Sequence, residues 1–464
     1  LSVIAGWSGT APGQAAEPAR QPNIVFILAD DLGWTDLGCQ GSGFYPTPNI
    51  DRLAAQGVRF RHAYTCGPNC QPTRAALVTG QYGPRTGIYT VGAEPRGRAE
   101  DRKLEPVPNV VNLPRDKATV AQALKAAGYA TALFGKWHLG NGQGYHPLDR
   151  GYDEAIVSMG RHFDFATNPR VEVPEGTYLA DFLTDKAVDF IERHKDRPFF
   201  LDLHHFAVHV PLEAKPDQIA RFQGRPPVNG HGDPVYTAMI ASIDDSVGRV
   251  LAQLDALKLA DDTVVIFSSD NGGVGGYVSA GIPGARDITN NAPLRGGKGM
   301  LYEGGVRVPW IVRWPGIAPS GTTCDQPIAS IDFFPTALEL AGAQPETGAT
   351  LDGVSLVPLF QNPSSASWSR ETLYWHFPGY LEGGNRRGSW RTTPAGAIRR
   401  GDWKLLEFFE DNHVELYNLK DDPGQHRDFA ADLPSLANDL RDRLRAWRAE
   451  VQAPMPQPNP AHRP

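Results

Sequence analysis

Four apolar runs of strand length, each emptying into a polar cluster, restrict the fold of this chain more than any other feature. Asn23 to Leu28 leads into Asp30 and Asp31, and Ala130 to Phe134 leads into Lys136 and His138. Phe199 to Leu203 leads into His204, His205 and His209, and Thr263 to Phe267 leads into Asp270 and Asn271. A continuous apolar run reads as a strand covered on both faces, the habit of parallel sheets. Helical patterns separate the runs. Thr119 caps residues 120–127, whose apolar positions share one face, and further helices are expected from Leu179 to Arg193 and around Met239 to Leu257. Helices alternating with buried strands give an α/β fold with a mainly parallel sheet flanked by helices. Such sheets bind ligands at the C-terminal strand ends, so the four clusters are expected to converge in one crevice.

The second constraint is Cys70-Gln71-Pro72-Thr73-Arg74, running on to Leu77-Val78-Thr79-Gly80. Proline is tolerated in a first helical turn and Gly80 is a natural stop, which puts the thiol at the mouth of a short helix. The free N–H groups there favour an anion, and Arg74 adds a permanently charged fork one turn on. Taken alone, Cys70 reads equally as a structural thiol or a partner for Cys66. Asp30, Asp31, Asp270 and Asn271 offer only hard oxygens, which suit Ca²⁺ or Mg²⁺ far better than zinc. His205 and His209 have helical zinc spacing, but the strand before them and Pro211 after them argue for a loop.

Cys-x-Pro-x-Arg at 70–74, Leu-x-Thr-Gly at 77–80, Gly-Lys-Trp-His-Leu-Gly at 135–140 and Gly-Gly-Lys-Gly at 296–299 make a chain that resembles the type I sulfatases. The resemblance covers about Asn23 to Leu419. It implies an alkaline-phosphatase-like core and a sulfuric ester hydrolase whose Cys70 is oxidised to formylglycine by a maturation enzyme. It further implies that Asp30, Asp31, Asp270, Asn271 and the modified Cys70 hold Ca²⁺ or Mg²⁺. Arg74 would steady the formylglycine, Lys136 bind sulfate and His138 assist the nucleophile, while His209 and Lys298 face the leaving oxygen. Two departures stand out: Thr73 replaces a commoner serine, and Asp422-Pro423-Gly424-Gln425 replaces the family's Asp-Pro-x-Glu. Two rival readings stay open. One is a phosphomonoester, phosphodiester or phosphonate hydrolase of the same superfamily; the other is an inactive glycan-binding homologue with unmodified Cys70.

The 464 residues can bury one large core and a smaller satellite. A net charge of −7 gives no global attraction for nucleic acid, so any anion site must be local. No apolar run reaches the ~18 residues needed to span a bilayer. Residues 1–22 read as a disordered leader or signal-peptide remnant with a cleavage site near Ala16, hence a secreted or periplasmic protein. The catalytic domain is expected over 23–365, up to the linker-like 363–367. An α+β subdomain is expected over 366–453, with antiparallel strands at Glu371 to His376, Ala397 to Phe409 and Val414 to Leu419, and a disordered tail over 454–464. Four cysteines (Cys39, Cys66, Cys70, Cys324) make no disulfide framework in a chain this long. Arg96, Arg98, Arg102, Lys103, Arg161, His162, Arg386, Arg387, Trp390 and Arg391 could shape a pocket for a sulfated small molecule or saccharide.

Overall fold

The computed structural model describes residues 21–463, apart from 347, 366–367, 369 and 385–386. The expected leader up to residue 20, the linker residues at 366–367 and Arg386 therefore lie outside the described residues. The central sheet has eight strands: β1 (Asn23–Ala29), β2 (Val58–Phe60), β3 (Ala130–Gly135), β4 (Glu154–Val157), β5 (Phe199–His204), β6 (Thr263–Ser269), β7 (Trp310–Arg313) and β8 (Thr322–Cys324). Their spatial order is β8-β2-β7-β6-β1-β5-β3-β4, and β7 alone runs against its neighbours.

β1 sits at the centre because both its faces are apolar. Val25 and Ile27 point into one buried cluster; Ile24, Phe26 and Leu28 point into the other. The first cluster is closed by helices α1 (Pro48–Ala55), α4 (Leu179–Arg193) and α5 (Pro234–Ala256). The second is closed by α2 (Cys70–Thr79), α3 (Val120–Ala126) and α6 (Phe333–Leu340). Thr119 starts α3 with a capping box shared with Gln122, and Gly80 ends α2 in the left-handed conformation at φ 66°. Leu28 pairs with both Ser268 and His204, so the residues just beyond β1, β5 and β6 emerge side by side.

A four-stranded antiparallel sheet follows: β9 (Thr372–Phe377), β12 (Ala395–Arg400), β13 (Trp403–Phe408) and β14 (Val414–Asn418), with the hairpin β10 (Leu381–Glu382) and β11 (Trp390–Thr392) beside it. Helix α7 (Pro434–Glu450) packs on this sheet through Leu440, Leu444 and Trp447. The run from Ala397 to Phe409, expected as one strand, is a hairpin. Gly401 turns it at φ 56°, between Arg400 and Asp402, a conformation that glycine adopts without strain. The tail after Ala453 corrects another expectation, for it is ordered rather than disordered. Gln457–Pro458 pairs antiparallel with Leu104–Glu105, and the Asn459 side chain donates to the carbonyls of Ala99 and Arg102, both at 2.7 Å. Pairing to a distant loop leaves no mark on a proline-rich composition. The four cysteines are all free thiols, and no described helix is long and apolar enough to cross a membrane.

A buried ion cluster ties the antiparallel sheet to Tyr64 and Glu303 of the larger domain. Lys404 on β13 donates to Glu303 at 2.8 Å, Tyr64 donates to the same carboxylate at 2.8 Å, and Arg399 donates to the Tyr64 oxygen. Burial alone would raise the Glu303 carboxyl, but Lys404, Arg307 and Arg399 outweigh it and hold it at about 2. Its stabilisation is therefore complete above its ordinary 4.5 and is lost as pH falls towards 2. Lys404→Met takes the nearest cation from buried Glu303, leaving Arg307 at 3.7 Å, and is expected to cost about 3 kcal/mol in denaturant unfolding at neutral pH. Adding Glu303→Gln should recover part of that loss. A single variant as stable as the parent would contradict this role.

Candidate active site and metal centre

Each strand end delivers its polar residues to one place. Asp30 and Asp31 follow β1, and Asp31 holds φ 65°, a left-handed conformation that aspartate tolerates better than most residues. Asp270 and Asn271 follow β6: the Asp31 amide donates to Asp270 at 3.2 Å and the Asn271 side chain donates to Asp31 at 2.8 Å. Cys70 opens α2, where Asn69 makes no side-chain cap and leaves the first-turn amides free. Its sulfur lies 3.5 Å from Asp30 and 3.9 Å from Asp31.

Cations close around these groups. Arg74, fully buried, donates through Nε and Nη2 to one Asp270 oxygen at 2.9 and 2.7 Å, and through Nη1 to the Lys136 carbonyl. The Lys136 ammonium reaches Asp30, Lys298 reaches Asp31 at 2.7 Å, and His209 Nε2 lies 3.7 Å from Asp31. His138, on the same loop as Lys136, makes no side-chain hydrogen bond among the described residues and also holds φ 65°. The structure thus brings Asp30, Asp31, Cys70, Arg74, Lys136, Asp270, Asn271, His209 and Lys298 into one network, with His138 at its edge.

The electrostatics divide the two histidines. Burial, then Lys136 and Arg74, push His138 down to about 3, so its imidazole is neutral and able to accept a proton. Burial opposes charge on His209 as well, but Asp30 and Asp31 overcome it and raise the ring to about 9, so it carries a proton to give. The Cys70 thiol is lowered despite burial, because Lys136 and Lys298 face it.

The donor set fits a hard divalent cation. Ligand atoms of Asp30, Asp31, Cys70 and His209 all lie within 4.8 Å of one another. The Asn271 Oδ1 is buried with no hydrogen-bond donor among the described residues, a cost that a cation would remove. His205, by contrast, turns away to Ser246 at 2.9 Å, so the His205/His209 zinc spacing has no counterpart in space.

Three supporting residues lacked a legible role in the sequence. His162, grouped there with possible substrate contacts, is buried; its Nε2 bonds the His209 carbonyl at 2.8 Å and its ring stacks on Phe206. His204 accepts from Arg74 Nη1 at 3.3 Å and lies 2.7 Å from Asp202. Asn291 donates to the carbonyls of Gly273, Gly275 and Gly296, shaping the glycine-rich loop that carries Lys298. Only the distance in space identifies these partners.

Comparison with known proteins agrees with this geometry. The Sulfatase family pattern matches residues 22–343, and the pattern for the C-terminal region of N-sulphoglucosamine sulphohydrolase matches 297–450. A sulfatase of Formosa agariphila is 36% identical over 96% of this chain and 92% of its own length. Human N-acetylgalactosamine-6-sulfatase is 37% identical over 75% of this chain and 67% of its own. The crystal structure of Ps i-CgsB in complex with k-i-k-neocarrahexaose superposes with a TM-score of 0.77 at 31% identity, covering 94% of each chain.

If the acidic cluster holds a hard cation, adding Ca²⁺ to chelator-treated protein should raise its melting temperature saturably. At a hundredfold excess over Kd the gain is about 2.7 kcal/mol, or a few degrees. Asn271→Leu should weaken that response at least tenfold in Ca²⁺ concentration. Melting that is indifferent to every divalent ion would contradict the assignment.

Proposed function

The chain belongs to the sulfatase family and is a sulfuric ester hydrolase, and we propose that it cleaves the sulfate ester of a carbohydrate with a formylglycine made from Cys70. The observation that carries this reading is the setting of Cys70. A thiol is a poor neighbour for two carboxylates 3.5 and 3.9 Å away, whereas a hydroxyl oxygen at that point could share their cation. The hydrated aldehyde supplies two hydroxyls on one carbon, and the cation would lower their pKa.

The chain's own residues perform the rest. Asp30, Asp31, Asp270 and Asn271 would hold Ca²⁺, with Mg²⁺ the alternative. Arg74, pinned by Asp270, orients residue 70 from one helical turn away. Lys136 and Lys298 both act on Cys70 and would bind the sulfate oxygens as point charges. Protonated His209 would give its proton to the departing alcohol, with Lys298 beside it, and neutral His138 would take a proton from the nucleophile residue. The carbohydrate preference is supported by the saccharide sulfatases among the relatives.

Trypsin releases His62 to Arg74, which contains Cys66 as an unmodified control. From protein produced with a maturation enzyme, this peptide should carry an aldehyde at residue 70 that reacts with hydrazides, and Cys66 should not. Cys70→Ala should lower kcat on sulfate esters by ~10⁴-fold or more, as loss of a nucleophile does. Active protein with wholly unmodified Cys70 would overturn the proposal.

A further inference from the structure

Most of the cations around the catalytic lysine loop are already committed to holding the structure. Arg102 donates to the carbonyls of Arg96 and Gly97, Lys103 lies 3.4 Å from Glu410, and Arg387 pairs with Glu100 and Asp101. Trp390 presses on Gly97, where a Cβ would meet its ring at 2.2 Å. These contacts fasten the β10–β11 hairpin to the loop that the C-terminal tail also grips.

Arg391 differs from them. Its Nη1 makes only a long hydrogen bond, 3.3 Å, to the Lys298 carbonyl, which Tyr277 already holds at 2.9 Å. Its guanidinium lies 4.3 Å over the Tyr277 ring, and its Nε, like that of Arg102, is buried without an acceptor among the described residues. It lines an open pocket of about 240 Å³ together with Tyr277, Ile282, Arg286 and Glu382.

We propose that this pocket is the leaving-group subsite, and that Arg391 recognises a second anionic group on the sugar that carries the scissile sulfate. The proposal rests on the sulfate-ester reading above and deepens it. A buried donor left empty is costly, and a carboxylate or a second sulfate ester matches the guanidinium fork better than a neutral hydroxyl does. Arg286 adds positive charge at the rim, and exposed Glu382 suits the remaining hydroxyls. The subsite is coupled to the chemistry through Gly299. It sits at φ 90°, and a Cβ there would lie 2.7 Å from Arg391 Cδ, so the hairpin rests directly on the residue after Lys298. Arg391 and Tyr277 both hold the Lys298 carbonyl, so an occupant that draws on Arg391 acts on the backbone of the loop that carries the lysine facing Asp31.

Calorimetric titration of Ca²⁺-loaded Cys70→Ala protein tests this without turnover. The probes are sulfated mono- and disaccharides in pairs: singly sulfated, and the same sugar with either a carboxylate or a second sulfate. Within at least one pair the dianionic member should bind ~10-fold tighter, and the class of that pair identifies the anion. Arg391→Ala should reduce this ratio to near one, Arg391→Lys should keep part of it, and Arg286→Ala on the exposed rim should lower it less. Equal binding within every pair, or a ratio that survives Arg391→Ala, overturns the proposal. Loss of turnover on all sulfate esters would instead strike the hydrolase reading, and leaves this binding ratio a separate result.

Discussion

A single buried ion pair, Arg74 with Asp270, governs the geometry of everything around it. Both side chains are fully buried, and breaking such a pair strands a charge at a cost of about 3–5 kcal/mol. Arg74 also donates to the Lys136 carbonyl and to His204. One guanidinium therefore joins the ends of β6, β3 and β5 to the helix that begins at Cys70. Residue 70 has a fixed position over the strand edge because the residue one turn later cannot move without unpairing a buried carboxylate.

Charge balance follows from that arrangement. Asp30, Asp31 and Asp270 face Arg74, Lys136 and Lys298, and protonated His209 adds a fourth positive group beside Asp31. A bound divalent cation would tip the pocket further positive, and an anionic ester with a deprotonated nucleophile would offset that charge. The opposed histidines fit the same scheme. His138 is kept neutral by burial and then by Lys136 and Arg74, whereas Asp30 and Asp31 outweigh burial and keep His209 charged. A base and an acid thus stand in one site without needing different residue types.

The sequence disclosed the parts of this site that local pattern encodes. The four strand-end clusters and the helix at Cys70 were legible because buried strands and helix signals are written within a few neighbouring residues. Central strands β1, β5 and β6 and helix α4 appear where the apolar periodicity placed them. What was not legible depends on distant pairing. The backing of His209 by His162 spans 47 residues, and the tail strand finds its partner more than 350 residues away. The same limit applied to the arginines. Arg102, Arg387 and Arg391 look alike in sequence, and only their partners separate two groups held by short bonds or ion pairs from one held by a single long hydrogen bond. Gln425, where the family pattern has glutamate, is buried and accepts from the Glu303 amide at 2.7 Å, so the departure falls in the packing beneath the Glu303 ion cluster.

The site of a sulfuric ester hydrolase serves a sulfate monoester, carrying one negative charge at neutral pH, in preference to a phosphate monoester carrying close to two. The most direct measurement is kcat/KM of one matured, Ca²⁺-loaded preparation on an aryl sulfate and on the aryl phosphate with the same leaving group. The sulfate ester should be favoured by ~100-fold or more, equivalent to about 3 kcal/mol of transition-state preference. A phosphate ester turned over as well as, or better than, its sulfate counterpart would contradict it.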